Sequence, residues 1–483
     1  MKFLSETLRS IQLWLTISAL TLAPLFFGSV DPLWVVIWSL VLSISTLCGL
    51  VIPVGIGQKR IILIFLAICG AYALVAIIQV VPNLIGPLAD PIWQRASDLL
   101  RLELAARISS RAEISPAVIG HFLLLVTSFL SGMFVGTSRR NSDIVIEFAR
   151  YSILLYAIYG LAALTLTPNM VLWAPKRAYF GFLTTTFINH NTAATFMGAG
   201  TILWLCSAYL SFQSLNTSSI RLLLLVPSNE KLAFKLMFRS AAGLACFFAV
   251  LLTGSRGGLI STCVGLLVAI GLMVSGKIKV GLWHVFGSAI AAFALLSFWL
   301  SGVGRIGSQG LFDGGRWFVY ESCLKLIRER PLLGTGAGTF ADLFPSLRTN
   351  DLSSWGVWDY AHSTLLEIAV EMGIPIAAAV VMAAAASLFI LGRSALRPRD
   401  SNRSSLSAIT GIAVLSYLHA TIDFSLQVPG YLIVFGVILG CGLARATSDR
   451  KISGKIQSRA PAQIADIPLP RSDAIGRSSD LKS

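Results

Sequence analysis

The stretch from Ile61 to Pro82, IILIFLAICGAYALVAIIQVVP, holds 22 residues and not one charge. A helix rises about 1.5 Å per residue, so a run of this kind covers the roughly 30 Å of hydrocarbon in a bilayer. Similar runs recur on both sides of it. They place spans near residues 11 to 30, 33 to 53, 61 to 82, 116 to 136, 151 to 167, 191 to 212, 238 to 253, 257 to 276, 281 to 300, 374 to 392, 406 to 423 and 427 to 444. The expected fold is therefore all-α, a polytopic transmembrane helical bundle of about twelve spans with a large outer loop containing amphipathic helices. Composition agrees, since 55% of the 483 residues are hydrophobic and only 13% are charged, against roughly 25% charged in a soluble domain. The first span begins after Lys2 and Arg9, shows no small-residue cleavage site and runs straight into a second span, so it reads as an uncleaved anchor.

The formal net charge of +15 would suggest nucleic acid in a soluble protein. Its distribution points elsewhere. With the N-terminus in the cytoplasm, Lys59, Arg60, Arg139, Arg140, Arg221 to Arg239, Lys277, Lys279, Arg393 to Arg403 and the tail all fall inside. Most of the 38 Lys and Arg then obey positive-inside orientation. The excess is topological, and no nucleic acid is expected as a partner. Of the seven cysteines, Cys48, Cys69, Cys206, Cys246, Cys263 and Cys441 fall in spans as small hydrophobes, and Cys323 is placed alone in a loop. There is no CxxC and no metal spacing.

With both termini inside, the longer outer segments are 83–115, 168–190 and 301–361. In the first, Trp93, Ala96, Leu100 and Leu104 recur at helical spacing among Arg95, Asp98, Arg101, Glu103 and Arg107, which predicts an amphipathic surface helix. In the large loop a second such helix runs from Gly315-Arg316-Trp317 to Arg330, with Trp317, Tyr320, Leu324 and Ile327 on one stripe and Pro331 as its stop. On the inner side, Leu222 to Val226 reads as interfacial, and the tail of residues 446–483 reads as disordered.

Every polar motif lies on the outer side. Arg256 sits in Thr253-Gly254-Ser255-Arg256-Gly257-Gly258, a glycine turn between spans. An arginine at a membrane edge is a functional candidate, with a snorkelling anchor as the competing reading. Arg316 offers a planar fork matched to phosphate oxygens, though a solvated surface charge is the plainer role. His362, where the large loop meets the next span, carries the side chain suited to taking a proton from a hydroxyl near neutral pH. A satisfied interfacial histidine is its alternative. Glu367 and Glu371 follow at i, i+4 and should face the interior, either orienting a base or pairing with arginine. His419 and Asp423 are also four apart and predict a hydrogen-bonded pair on one helix face. In Asn189-His190-Asn191, Asn189 and Asn191 cap the sixth span, with a donor-sugar contact as the functional option. Gly334-Thr335-Gly336-Ala337-Gly338 follows a helix and Pro331 rather than a strand, so it is not read as a nucleotide loop. Two arginines converging on a diphosphate would neutralise it without a metal, in keeping with the absence of a DxD-like pair outside.

Taken in order, Phe187-Ile188-Asn189-His190-Asn191, Leu252 to Gly258, Gly315-Arg316-Trp317, Pro331 with Gly334 to Phe340, Ala361-His362-Ser363, and His419 to Phe424 resemble the O-antigen ligase and polymerase superfamily. The resemblance spans roughly residues 180 to 440. It implies residues 1–180 as N-terminal transmembrane helices and 181–445, with the periplasmic loop 301–361, as the catalytic membrane region of a bacterial inner-membrane enzyme. It further implies metal-independent inverting transfer of a glycan from undecaprenyl diphosphate, with no cofactor. The partners implied are that lipid-linked glycan, membrane lipid, and a lipid A core or second lipid-linked glycan as acceptor. Carried over, Arg256 and Arg316 would hold the diphosphate and His362 would activate the acceptor hydroxyl, with Asn189, Asn191, Glu367, His419 and Asp423 in support. Ser363 departs from the Asn that many relatives carry. A polymerase shares all these motifs. A transporter is the reading from another class, and it would place its charges at mid-depth rather than at the outer edge.

Overall fold

The computed structural model describes residues 2–214, 230–275, 314–348, 358–397 and 403–448. The order of its elements is α1 (Lys2–Leu22), α2 (Pro32–Gly49), α3 (Ile56–Val80), α4 (Pro91–Leu100), α5 (Pro116–Gly136) and α6 (Arg139–Leu166). A two-stranded hairpin, β1 (Met170–Val171) with β2 (Ala174–Pro175), follows. The remaining helices are α7 (His190–Gln213), α8 (Glu230–Leu252), α9 (Arg256–Val274), α10 (Gly314–Glu329), α11 (Phe340–Leu343), α12 (Thr364–Ala395), α13 (Arg403–Ala420) and α14 (Pro429–Ala446). Among the described residues nine helices are long and apolar enough to cross a membrane. The chain is an all-α polytopic membrane protein. Two further expected spans correspond to α1 and α13, while the span at 281–300, the segment 222–226 and most of the tail lie outside the described residues.

Two helices form the centre. Every residue of α14 is buried, as is most of α7. Small residues let the helices approach, because lipid supplies no hydrophobic drive between them and close van der Waals contact must hold the pair. A Cβ on Gly440 would fall 2.4 Å from Phe129 O, and one on Gly411 2.5 Å from Gly265 O. These contacts bring α14 onto α5 and α13 onto α9.

Helix α6 begins at Arg139, well before the expected start at 151, and so carries a charge into the bundle. Arg150 is buried, sits 4.5 Å over the Trp204 ring, donates to Ser207 Oγ at 2.6 Å and pairs with Glu147. Ser207 is near the end of α7 and Asn191 near its start. At about 1.5 Å per residue, this cluster and the residues around Asn191 occupy opposite ends of the bundle.

Helix α12 is broken at Gly373, whose φ is +82°. Pro375 explains part of the break: it has no N–H, so the carbonyl of Glu371 loses its helical partner. That carbonyl accepts instead from Gly336 N at 3.1 Å and Gln79 Nε2 at 2.7 Å. Ile374 N turns to Pro331 O at 2.8 Å, and the Val370 carbonyl it leaves accepts from Thr335 N at 2.9 Å. The glycine-rich segment is thus the cap of an interrupted helix. Gly334 takes φ +67°, and a Cβ there would lie 2.4 Å from Glu371 O.

The two loop helices differ from expectation in extent and in face. The helix of the first outer segment stops at Leu100, with Arg101 in the left-handed region, so Leu104 lies beyond it. In α10 the buried side chains are Val319, Cys323 and Leu326, while Trp317 and Leu324 are exposed. Cys323 is therefore a buried helical residue rather than a loop thiol.

Candidate active site

The turn joining α13 to α14, residues 421–428, is where polar side chains from five parts of the chain meet. Asp423 has no exposed surface. Its Oδ2 accepts from Asn191 Nδ2 at 2.8 Å and its Oδ1 from Ser425 Oγ at 2.7 Å. The Nδ1 of His362 stands 3.9 Å from Oδ2. Burial pushes the Asp423 carboxyl up, but the His362 ring, the charge of His419 and the Ser425 hydroxyl outweigh it and hold it down at about 2. The site thus contains a fixed negative charge facing an imidazole.

His362 is held by its neighbours on both sides. The Ala361 N–H donates to Glu367 Oε2 at 2.7 Å, and Tyr320 Oη donates to the His362 carbonyl at 3.0 Å. Ser363 Oγ accepts from Leu366 N at 3.3 Å and caps α12. Serine and asparagine are both good N-caps, which gives a physical reason why either suits this position. The backbone of His362 has φ +52°, a conformation uncommon outside glycine and kept where surrounding contacts fix it. Its ring stands edge-on to Trp358 and Phe424, with centroids 5.1 and 5.0 Å away. Nδ1 is buried with no hydrogen-bond partner among the described residues.

The two arginines come from other elements. Arg316, in the first turn of α10, donates Nη1 to the Ile422 carbonyl at 2.9 Å. Arg256 is exposed at the start of α9, after Gly254 at φ +67° and the cap Ser255, whose Oγ accepts from Gly258 N at 3.1 Å. Its neighbour Gly257 touches the turn: a Cβ there would lie 2.6 Å from Ile422 Cδ1 and 3.4 Å from His419 Nε2. Arg316 and His362 therefore contact Ile422 and Asp423, and Arg256 adjoins this region through Gly257, the next residue in the chain.

Asn189 caps α7 as its sequence context suggests, with Oδ1 accepting from Asn191 N at 2.7 Å and Thr192 N at 3.4 Å. The cap positions Asn191 for Asp423. The direct pair expected of His419 and Asp423 does not form, because α13 ends at Ala420 and the chain turns before Asp423. His419 Nδ1 lies instead 2.6 Å from Thr195 Oγ1 and 3.2 Å from Ser425 Oγ, and Ser425 links the two residues. Glu367 and Glu371 face the interior, where the hydrogen bonds they accept among the described residues come from backbone N–H groups and one side-chain amide rather than arginine: Glu367 Oε1 also accepts from Gln427 Nε2 at 3.1 Å, and Glu371 Oε1 from Phe340 N at 3.0 Å.

Sequence reasoning missed Thr195, Tyr320, Ser425, Gln427 and Gln79. Hydroxyls and amides carry no charge to mark them within apolar runs. Gln79, near the end of an uninterrupted apolar span, did leave a signal, because a buried amide must find partners.

An all-α membrane bundle with histidine, carboxylate and two arginines gathered at one end defines a class of membrane protein with an enzyme-like polar site. Residues 241–381 match the family model described as O-antigen ligase. Members of that family are glycosyltransferase-like enzymes that act with lipid-linked glycans and lipid A core. The matched stretch contains Arg256, Arg316, His362, Glu367 and Glu371. Asn189, Asn191, His419 and Asp423 lie outside it; of these His419 approaches Gly257 and Asp423 approaches His362 and Thr364 within it. No curated protein matches the chain.

Proposed function

We propose that the protein is an inner-membrane inverting glycosyltransferase of the O-antigen ligase kind. It moves a glycan from undecaprenyl diphosphate to an acceptor hydroxyl on the periplasmic side. The observation that carries this reading is the approach of Arg316 and His362 to residues 422–423, with Arg256 one residue from Gly257, which packs against Ile422 and His419, all three inside the stretch that matches the O-antigen ligase model. Residues 181–445 act as one catalytic region on helices α1 to α6.

In this mechanism the acceptor oxygen attacks the anomeric carbon, and the bond from that carbon to the diphosphate oxygen breaks. The electron pair leaves with undecaprenyl diphosphate. His362 takes the hydroxyl proton, and Asp423 stabilises the imidazolium that results. Arg256 and Arg316 stabilise the negative charge growing on the leaving group. Glu367, Tyr320 and Ser363 hold the histidine in place, so the acceptor is met by a base that does not have to be ordered during reaction.

The test is transfer by the purified protein, in EDTA and without it, from undecaprenyl-diphosphate glycan to lipid A core or to a second lipid-linked glycan. Transfer that is lost in His362→Ala and Arg256→Ala, at unchanged folding, supports the reading. Core as the productive acceptor makes the protein a ligase, and a second lipid-linked glycan makes it a polymerase. Variants as active as the unmodified protein would show the assigned roles to be wrong.

A further inference from the structure

One residue before Asn191, the His190 ring takes no part in the contacts to Asp423. Its Nδ1 lies 2.7 Å from the Thr253 carbonyl. A carbonyl only accepts, so Nδ1 carries the ring proton and Nε2 is left as an accepting nitrogen. No hydrogen bond among the described residues reaches Nε2. Over the same ring lies Tyr179, with centroids 4.3 Å apart and planes 25° from parallel.

The conformation of Tyr179 adds a second observation. Its φ is +59°, an outlier for a bulky side chain. The loop around it is anchored on both sides. Lys176 Nζ donates to Phe182 O at 2.9 Å, Leu183 N donates to Leu252 O at 3.0 Å, and the Phe182 ring fills the space where a Gly254 side chain would stand. This conformation lays the phenol beside a histidine that is tethered to the Thr253 carbonyl, three residues before Arg256. The Tyr179 hydroxyl also feels the site: burial and Asp423 push its proton affinity up, and Arg316 pulls it down.

We propose that Tyr179 and His190 form a subsite for the sugar joined to the diphosphate, the phenol donating to one sugar oxygen and His190 Nε2 accepting from a neighbouring hydroxyl. This rests on the transferase reading above, with Arg256, three residues after Thr253, facing the diphosphate itself. A donor and an acceptor side by side suit adjacent hydroxyls of a pyranose. The specificity is of a kind apolar contacts do not give, because a site built to hydrogen-bond a hydroxyl rejects a partner lacking it.

The experiment uses the full chain in detergent and measures affinity for bare undecaprenyl diphosphate and for undecaprenyl diphosphates bearing a single hexose or N-acetylhexosamine. Tyr179→Phe removes only the phenol oxygen. His190→Asn keeps an N–H within reach of Thr253 while removing Nε2. The unmodified protein is expected to prefer a sugar-bearing lipid by ~10- to 30-fold, as two net hydrogen bonds allow. Both variants should bind bare lipid normally and lose most of that preference. Variants that keep it, or an unmodified protein that shows none, overturn the proposal. If His190→Asn fails to fold, Tyr179→Phe alone decides. A transfer assay run in parallel separates the two ideas: transfer with sugar preference untouched leaves the transferase reading standing without the subsite. Loss of preference in a protein that transfers nothing does the reverse.

Discussion

Asp90 Oδ2 and Arg330 Nη1 stand 3.0 Å apart, and the pair ties the first outer segment to the segment that caps the broken helix α12. Arg330 Nη1 also donates to Ile108 O at 3.1 Å, and Arg111 pairs with Asp342. The N-terminal part of the chain thus braces the domain that carries His362.

Removing the carboxylate leaves the Arg330 guanidinium, mostly shielded, without its counter-charge. Asp90→Asn retains the cap on α4, where Asp90 Oδ1 accepts from Ile92 N at 2.8 Å, and is expected to cost about 1–3 kcal/mol. Asp90→Ala loses the cap as well, a further ~1 kcal/mol. Thermal unfolding in detergent reads both. The pair matters little if Asp90→Asn unfolds with the unmodified protein.

Gln79 is fully buried and uses its whole amide: Nε2 donates to Leu333 O and Glu371 O, and Oε1 accepts from Ala337 N at 3.1 Å. Gln79→Leu has nearly the same volume and leaves Leu333 O and Ala337 N without this partner, at about 1–3 kcal/mol for each buried group, while Glu371 O keeps its bond from Gly336 N. Amide exchange should quicken at residues 333–340 while helix content holds. Unchanged exchange there would remove Gln79 from the brace.

At Gly373 a Cβ would lie 2.3 Å from Leu332 O, at φ +82°. Gly373→Ala is therefore expected to destabilise by at least about 2 kcal/mol through strain and the clash with backbone. It should also lower transfer, because the shifted half of α12 carries Glu367. Chemical unfolding with parallel activity measurements checks this, and a variant of normal stability would show that the break tolerates a side chain.

Asp423 titrates at about 2 in the fold, below its ordinary value near 3.8. A depressed carboxylate stabilises the folded state above its unfolded value and loses that contribution as pH falls through the folded one. The expected loss lies between about pH 4 and pH 2 and is on the order of 2 kcal/mol. Asp423→Asn should be less stable at pH 6 and lose less of its stability across that window. Parallel stability curves for the two proteins would contradict the assignment.

Cys323 is buried, and burial pushes its thiol up to about 12. A thiol that stays protonated does not attack a maleimide. In the folded protein at pH 8 it should remain unlabelled, then label on unfolding. Labelling in the native state would place α10 away from the body of the protein.

Much of this architecture was legible because bilayer spans announce themselves. Pro116–Gly136 appears at the residues its apolar run marks, with Ser115 as cap. Helix starts were harder where charge enters the bundle, as in α6, since hydropathy discounts Arg150, which finds Glu147, Ser207 and the Trp204 face. Individual polar residues of the site were visible as exceptions to their surroundings. Their pairing was not, because it depends on a turn: spacing of four suggested one helix face for His419 and Asp423, whereas the helix ends between them. The glycines at 334, 336 and 338 announced a special backbone, but Pro375, far along the chain, explains what it is for.

Helix α14 is the most enclosed of the spans and comes after every other described helix. Chains emerge from the ribosome in order, so α5 and α7 enter the membrane before the helix they surround has been made. Their facing surfaces must stay apart, or in contact with lipid, until residues 429–446 arrive between them. Asp423 comes just ahead of that helix, so its carboxylate reaches Asn191 and His362 only as assembly closes. The polar site is thereby completed by the same late event that completes the bundle, and a stalled or shortened chain would hold its histidine and arginines without a working arrangement of them.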